Sequence, residues 1–380
     1  MTQAFHLLTG EYPPQTGGVG DYTRLVAAGL AARGFGVHVW CPWITPGTEG
    51  GVESRHLPDA FGRRSRRALE GALREVPGCL LLQYVPNALG ARGANVPFCL
   101  WLLRMRRRGI DVRVMFHEPY FYFGWKRPSR NALAAVQRAM AAILLRASPI
   151  AYVSTSAWVP YLRPWGANVL VDSPIPATIA GTAAQAEVER WRSRFQGGEA
   201  GSSIIGHFGT FGDHIATELT HAVPSILEAA PTARFVFIGR GAEAFAAKLS
   251  SRNARLAPRL FATGARPAGD VAAALRACDL VVQPYPDGVT TRRTSVMAAL
   301  VNGVAVVTTD GRLTEPVWRT EGAVALAPAG AITGLAAAVA SLLIDPGARS
   351  ALAARGQRVY GERFALAHTL DALLRPGAAA

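Results

Sequence analysis

Lysine is almost missing from this chain. Lys126 and Lys248 are its only lysines, so nearly all of the formal net charge of +14 is carried by arginine. An alanine-rich, lysine-poor composition of this kind is what a biased genome produces. Long apolar runs are missing too. The longest candidate, Ala132–Leu145, is interrupted by Gln137 and Arg138 and falls short of the ~18 residues that a membrane-spanning helix requires. The opening residues Met1 to His6 lack a basic stretch, an apolar stretch and a cleavage site, so no signal peptide is expected and the protein is predicted to be cytoplasmic. Cysteine is scarce as well. Cys41, Cys79, Cys99 and Cys278 each lie in or beside an apolar run, and no two have metal-ligand spacing. They read as buried, reduced thiols. No Asp-x-Asp pair occurs, so no metal is expected. No nucleic-acid-binding motif accompanies the arginines, so no nucleic acid is expected either. Charged residues make up only 17% against 50% hydrophobic, a balance that excludes disorder and leaves room for two ordinary domains.

What is present is an alternation that runs twice. Short apolar runs at Phe5–Thr9, Gly36–Cys41, Cys79–Tyr84, Val112–Phe116 and Ile150–Val153 read as buried strands. Helices are predicted between them at Asp21–Arg33, Phe98–Arg108 and Asn131–Arg146, the first with its apolar stripe at Leu25, Ala28 and Ala32. A seam rich in small and polar residues runs from Ala177 to Gly201. The pattern then restarts, with strands predicted at Ser203–Phe208, Arg234–Ile238, Leu260–Ala262, Leu280–Gln283 and Ala305–Thr309. This grammar predicts an α/β chain of two doubly wound domains. The expected bounds are 1–180, a linker at 181–200, 201–360, and a C-terminal helix at 361–380 that packs back on the first domain. Ligands of open parallel sheets bind at the strands' carboxyl ends, so one large site is expected between the two domains.

The chemistry-bearing residues gather at those ends. Gly17, Gly18 and Gly20 lie between the first strand and the first helix, where a backbone can approach a ligand and a helix N-terminus attracts anions. A tight turn with no ligand is the other reading. The dinucleotide fingerprint fails, because Thr23 stands where its third glycine belongs and the second strand ends Trp40-Cys41-Pro42 without a carboxylate. No cofactor is therefore expected. His117 and Glu118 follow the strand Val112–Phe116, placed to contact a hydroxyl or exchange a proton, or else to cap the loop. The aromatic run Tyr120 to Phe123 with Trp125 reads as core or loop packing or as a surface for a sugar or lipid. Thr290, Thr291, Arg292, Arg293 and Ser295 bring hydroxyls, amides and two guanidinium groups to a helix start, a combination suited to a diphosphate; an N-cap followed by solvated arginines is the other reading. Gly209 and Arg240 sit in two further strand-end loops of the same half. Arg63, Arg64, Arg66 and Arg67 form one basic cluster, and Arg104, Arg106, Arg107 and Arg108 another. Each reads as a solvated helix face or as a surface drawn to anionic membrane.

These segments carry a resemblance. Gly10 to Pro14 with Gly17-Gly18-Val19-Gly20, Leu82 to Pro86, His117-Glu118, Phe261 to Gly264, Ala277 to Pro284, and Gly303 to Thr309 followed by Glu315 are similar to the motifs of the family 4 glycosyltransferases (glycosyl transferases group 1) of the GT-B fold. The likeness extends over almost the whole chain. It implies two facing Rossmann-like domains and transfer of a sugar from a nucleotide-diphosphate sugar to a glycan, lipid-linked or small-molecule acceptor, with retained anomeric configuration. It implies that His117 is the active-site histidine, that Glu118 works beside it, and that Glu315 joins the donor site. Two family glutamates eight positions apart are replaced here by Thr290 and Ala298. The alternative is a GT-B-like binding or partner subunit that has lost catalysis.

Overall fold

A computed structural model of the protein describes residues 4–15, 17–124, 128–166, 169–179, 183–199 and 201–375. Trp125 and positions 180–182 of the expected seam lie outside them. The chain divides into two compact units, Met1–Pro176 with Leu366–Ala380 and Ala177–Ala365.

The first unit holds β1 (Ala4–Leu8), β2 (Gly36–Cys41), β3 (Gly47–Glu49), β4 (Val52–His56), β5 (Gly78–Tyr84), β6 (Val112–Phe116), β7 (Ile150–Val153) and β8 (Val169–Asp172). They lie in the order β3-β4-β2-β1-β5-β6-β7-β8. All neighbours are parallel except β3, which is antiparallel to β4. Every residue of β1 and β6 is buried, which explains their continuous apolar character: both faces of the sheet are covered. The first helix spans Gly18–Ala32 and buries Tyr22, Val26 and Leu30 with Thr23 and Ala27. The stripe at Leu25, Ala28 and Ala32 faces outward instead, because the neighbouring i, i+4 row carries the bulkier side chains and gains more by burial. Strands β3, β4 and β8 escape detection in the sequence. Apart from buried Val52 their residues are partly or fully exposed; β3 and β4 show no apolar run, and β8 only the three residues Val169–Val171.

The helix Leu366–Leu374 belongs to this first unit. Leu370 and Leu373 are buried in its core, and a Cβ on Gly29 would lie 2.6 Å from Leu370 Cδ1. Arg113, only 5% exposed, bonds to the Leu373 carbonyl and to Asp111. A buried cation thus meets the negative end of a helix. The α-helical course is interrupted between 359 and 366 by a π turn at Tyr360–Phe364 and an extended Ala365, so the helix expected from 361 starts only at Leu366.

The second unit holds β9 (Ile204–Phe208), β10 (Arg234–Ile238), β11 (Leu260–Ala262), β12 (Leu280–Gln283), β13 (Ala305–Asp310) and β14 (Ala325–Pro328). They are ordered β11-β10-β9-β12-β13-β14 and all parallel. The segment read as a linker at 181–200 is largely the helix Gln185–Gln196. Its Val188, Trp191 and Phe195 enter the core of this unit, a fact hidden by the polar residues on its other faces. All four cysteines are free and buried. Among the described residues no single helix is long and apolar enough to cross a membrane.

Candidate functional site

In the second unit the strand order reverses at β9. It pairs with β10 on one side and β12 on the other, and the carboxyl ends of strands at such a reversal are where open α/β sheets bind ligands. Gln283, the last residue of β12, ties the two ends together by donating from Nε2 to the Phe208 carbonyl at 2.9 Å. Beyond β9 comes Gly209, whose amide bonds the Ile238 carbonyl. Gly239 follows β10 with φ +120°, and a Cβ there would lie 2.4 Å from the Gly209 carbonyl oxygen. Glycine is required at 239 for that close approach. Arg240 is exposed beside it.

The loop after β12 carries the richest chemistry. Gly288, with φ +90°, crosses Gly311 and Thr314 so closely that a Cβ would sit 2.1 Å from Thr314 Oγ1. Thr290 and Thr291 are each 1% exposed. Glu315, 2% exposed, accepts from Thr291 N at 2.6 Å, from Thr291 Oγ1 at 2.7 Å and from Trp318 Nε1 at 3.1 Å. Its carboxylate thus braces the loop. The helix Thr294–Val301 begins directly afterward. Ser295 Oγ pairs with the Tyr285 hydroxyl at 2.7 Å, and the Arg293 guanidinium lies 4.2 Å from the centre of the Tyr285 ring, within cation–π range. Arg292 and Arg293 are half-buried at this helix start. Two cations and a helix N-terminus form an electropositive end, which favours a polyanion.

In the first unit His117 continues the line of β6. Its amide bonds the Tyr84 carbonyl, and its own carbonyl accepts from Ser154 Oγ and Trp158 Nε1. The ring is 6% exposed and edge-on to Tyr22 at 5.1 Å. Its Nε2 is 2.8 Å from Gln83 Oε1. Glu118, the next residue, is exposed, so the pair is split between a fixed ring and a surface carboxylate. The aromatic run stacks on arginines. Arg138 lies 4.2 Å from the Tyr120 ring centre and 3.8 Å from that of Phe123, while Tyr122 and Phe123 remain 40% and 57% exposed.

The glycine loop has a resident anion. Glu11 Oε1 accepts from the amides of Val19 and Gly20 at 2.9 and 3.0 Å. A Cβ on Gly17 would lie 2.2 Å from the Glu11 carboxylate, and one on Gly20 would press the Glu11 carbonyl at 3.2 Å. Gly17 and Gly20 therefore admit Glu11. Only Gly18 meets nothing within 4 Å, leaving open space over its Cα. The attraction of this helix start for an anion is real, and the chain itself satisfies it.

Residues 202–345 match the family model of glycosyl transferases group 1. The match lies within the second unit and spans most of it. No curated protein sequence matches the chain. Among solved structures it is similar to sucrose-phosphate synthase from Thermosynechococcus elongatus, at 15% identity and TM-score 0.75 over 98% of this chain and 97% of that one. It is also similar to HepE of Anabaena in complex with UDP and glucose, at 14% identity and TM-score 0.72 over 98% of both. Trehalose 6-phosphate synthase of Burkholderia multivorans aligns at 11% identity and TM-score 0.67 over 98% of both. The fold of the chain is GT-B.

The second unit thus collects Gly209, Arg240, Thr290, Thr291, Arg292, Arg293, Ser295 and Glu315 at one edge of its sheet, and the first unit places His117 at the end of β6. Sequence reasoning overlooked Glu11, Gln83, His207, Gln283 and Tyr285. The last four share one detectable signal, a polar atom at or just beyond the end of an otherwise apolar strand.

Proposed function

We propose that this protein transfers a sugar from a nucleotide-diphosphate sugar to a hydroxyl-bearing acceptor, with retained anomeric configuration and no catalytic metal. The observation that carries the reading is the start of the helix Thr294–Val301, where Arg292 and Arg293 flank buried threonines at a strand-order reversal inside the family-matched segment. Charge that develops on a departing diphosphate is stabilised there by two guanidinium groups and the helix end. These cations stand in for the polar contacts that Thr290 and Ala298 do not supply. HepE was solved in complex with UDP-glucose, which makes uridine nucleotides the first donors to try. His117 is assigned to the transferred sugar, with Gln83 holding its ring.

The test is a panel of nucleotide sugars with the purified protein, read as donor hydrolysis and transfer with and without a chelator. Joint substitution Arg292→Ala and Arg293→Ala is expected to weaken donor affinity about a hundredfold, two charge-assisted bonds at ~1.5 kcal/mol each. Unchanged affinity refutes the assignment. Nucleotide binding with neither hydrolysis nor transfer would identify a catalytically degenerate partner subunit instead.

Exposed Arg63, Arg64 and Arg67 on the helix Arg63–Glu75 and exposed Arg104 and Arg107 on the helix Val96–Arg107 flank Leu100, itself half exposed. This mixture supports contact of a cytoplasmic protein with an anionic membrane and hence a lipid-linked acceptor. Co-sedimentation with phosphatidylglycerol vesicles but not with neutral ones is the expected result. Equal recovery with both removes the membrane reading.

A further inference from the structure

His207 lies one residue before the end of β9, at the point where the strand order reverses. Its side chain is 1% exposed. Nδ1 is 2.8 Å from the Val282 carbonyl oxygen. A carbonyl only accepts, so Nδ1 carries the hydrogen and, in the neutral ring, Nε2 is left with a lone pair and no hydrogen. Burial lowers the ring's pKa to about 4, which keeps it neutral at physiological pH. Nε2 has no partner. A buried acceptor in that condition is rare and calls for a reason.

The surroundings of Gly209 supply one. Its chain neighbours 208 and 210 aside, a Cβ built on Gly209 would meet one atom within 4 Å, His207 Nε2 at 3.8 Å. No other part of the chain packs where a side chain at 209 would stand, and the unused lone pair borders that position. Phe211 closes another side, edge-on to the imidazole at 5.5 Å. A ligand atom over Gly209 meets an acceptor that has no hydrogen to give. An ionised phosphate oxygen has none either, so the two lone pairs would repel. A neutral hydroxyl fits, donating its hydrogen to Nε2.

We infer that His207 is a specificity-determining residue of the donor site, accepting a hydrogen bond from a hydroxyl of the sugar part of the nucleotide sugar above Gly209. The diphosphate then belongs to the loop Thr290–Ser295, where Arg292 and Arg293 supply the positive charge. This rests on the donor-site reading above and divides that site into a hydroxyl-reading end on β9 and a phosphate-holding end after β12. The buried hydroxyl of Thr290, also without a partner, can donate or accept and suits the boundary.

The test compares UDP with UDP-glucose, and GDP with GDP-mannose, by calorimetry on wild type and His207→Asn. Asparagine keeps a nitrogen able to donate to Val282 and removes the Nε2 acceptor. The wild type is expected to bind one nucleotide sugar more tightly than its diphosphate. His207→Asn should lose about tenfold of that sugar-dependent increment while its affinity for the diphosphate alone stays within about twofold. Equal losses for diphosphate and nucleotide sugar, or no loss for either, overturn the inference, as does a wild type that binds both equally. If the wild type binds no nucleotide at all, the donor-site reading itself fails. A second measurement does not depend on the variant's folding. In ¹⁵N-histidine spectra of the wild type, the unprotonated Nε2 resonance of His207 should move on addition of the nucleotide sugar and stay in place with the diphosphate. An unmoved resonance with both overturns the inference.

Discussion

Glu315 offers a sharp test of how the donor loop is held. It is a buried carboxylate accepting three hydrogen bonds, two from Thr291 and one from Trp318. Consider Glu315→Gln. The amide oxygen can take the place of Oε2 and accept from both Thr291 N and Trp318 Nε1. The NH₂ group can take the place of Oε1 and donate to the Thr291 hydroxyl, which rotates to accept. All three contacts survive, and only the charge assistance is lost, about 1–2 kcal/mol in total. Glu315→Ala is different. Two buried N–H groups lose their acceptor at about 1–3 kcal/mol each, partly offset because no carboxylate need be desolvated. A net loss of about 2–4 kcal/mol is expected, concentrated in the loop. The assay pairs amide hydrogen exchange at Thr291 and its neighbours with nucleotide-sugar affinity. Glu315→Gln should keep the loop protected and donor affinity within about threefold of wild type, a loss of ~0.6 kcal/mol. Glu315→Ala should lose both. If Glu315→Gln abolishes donor binding while the loop stays protected, the carboxylate acts on the ligand directly and the bracing argument is wrong.

Two further outcomes follow from the geometry. Gly17→Ala places a methyl group 2.2 Å from the Glu11 carboxylate and should expel it from the amides of Val19 and Gly20. The first unit should lose about 1–2 kcal/mol of stability, the worth of a helix N-cap, and Glu11→Ala should lose as much; urea unfolding followed by a probe in that unit would decide, and an unaffected Gly17→Ala would refute the cap. The second outcome concerns pH. Burial holds His6 and His207 down to about 4 against an ordinary 6.5. Between those values the unfolded chain binds protons that the folded one does not, so stability is complete above about 6.5 and falls as pH falls toward 4. Each unit carries one of these rings and should lose about 2 kcal/mol between pH 7 and 5. Flat stability across that range in chemical denaturation would contradict the burial of neutral rings.

The amino-acid order alone carries the two-fold alternation, the central strands and the edge of each sheet where chemistry collects. That is because a parallel sheet covered on both faces demands continuous apolar runs, and runs such as Val112–Phe116 and Leu280–Gln283 are visible without coordinates. The loop Thr290–Ser295 is legible for a similar reason: hydroxyls, guanidinium groups and a helix start are contiguous in the chain. The edge strands β3 and β8 and the neighbouring β4 are not legible, because short, largely exposed strands carry at most a brief apolar signal. Nor is the face that the first helix buries, since two i, i+4 rows compete and the bulk of Tyr22, Val26 and Leu30 settles it only against the packed sheet. The partners of the polar groups depend on tertiary contact entirely. Glu11 reaches the glycine loop's amides, Glu315 reaches back 24 residues to Thr291, and Val282 meets His207 across 75. A hydrogen bond is selected by distance in space and by the exclusion of water. Sequence therefore marks which residues can do chemistry, and folding assigns which are spent on one another and which, like the Nε2 of His207, are left for a ligand.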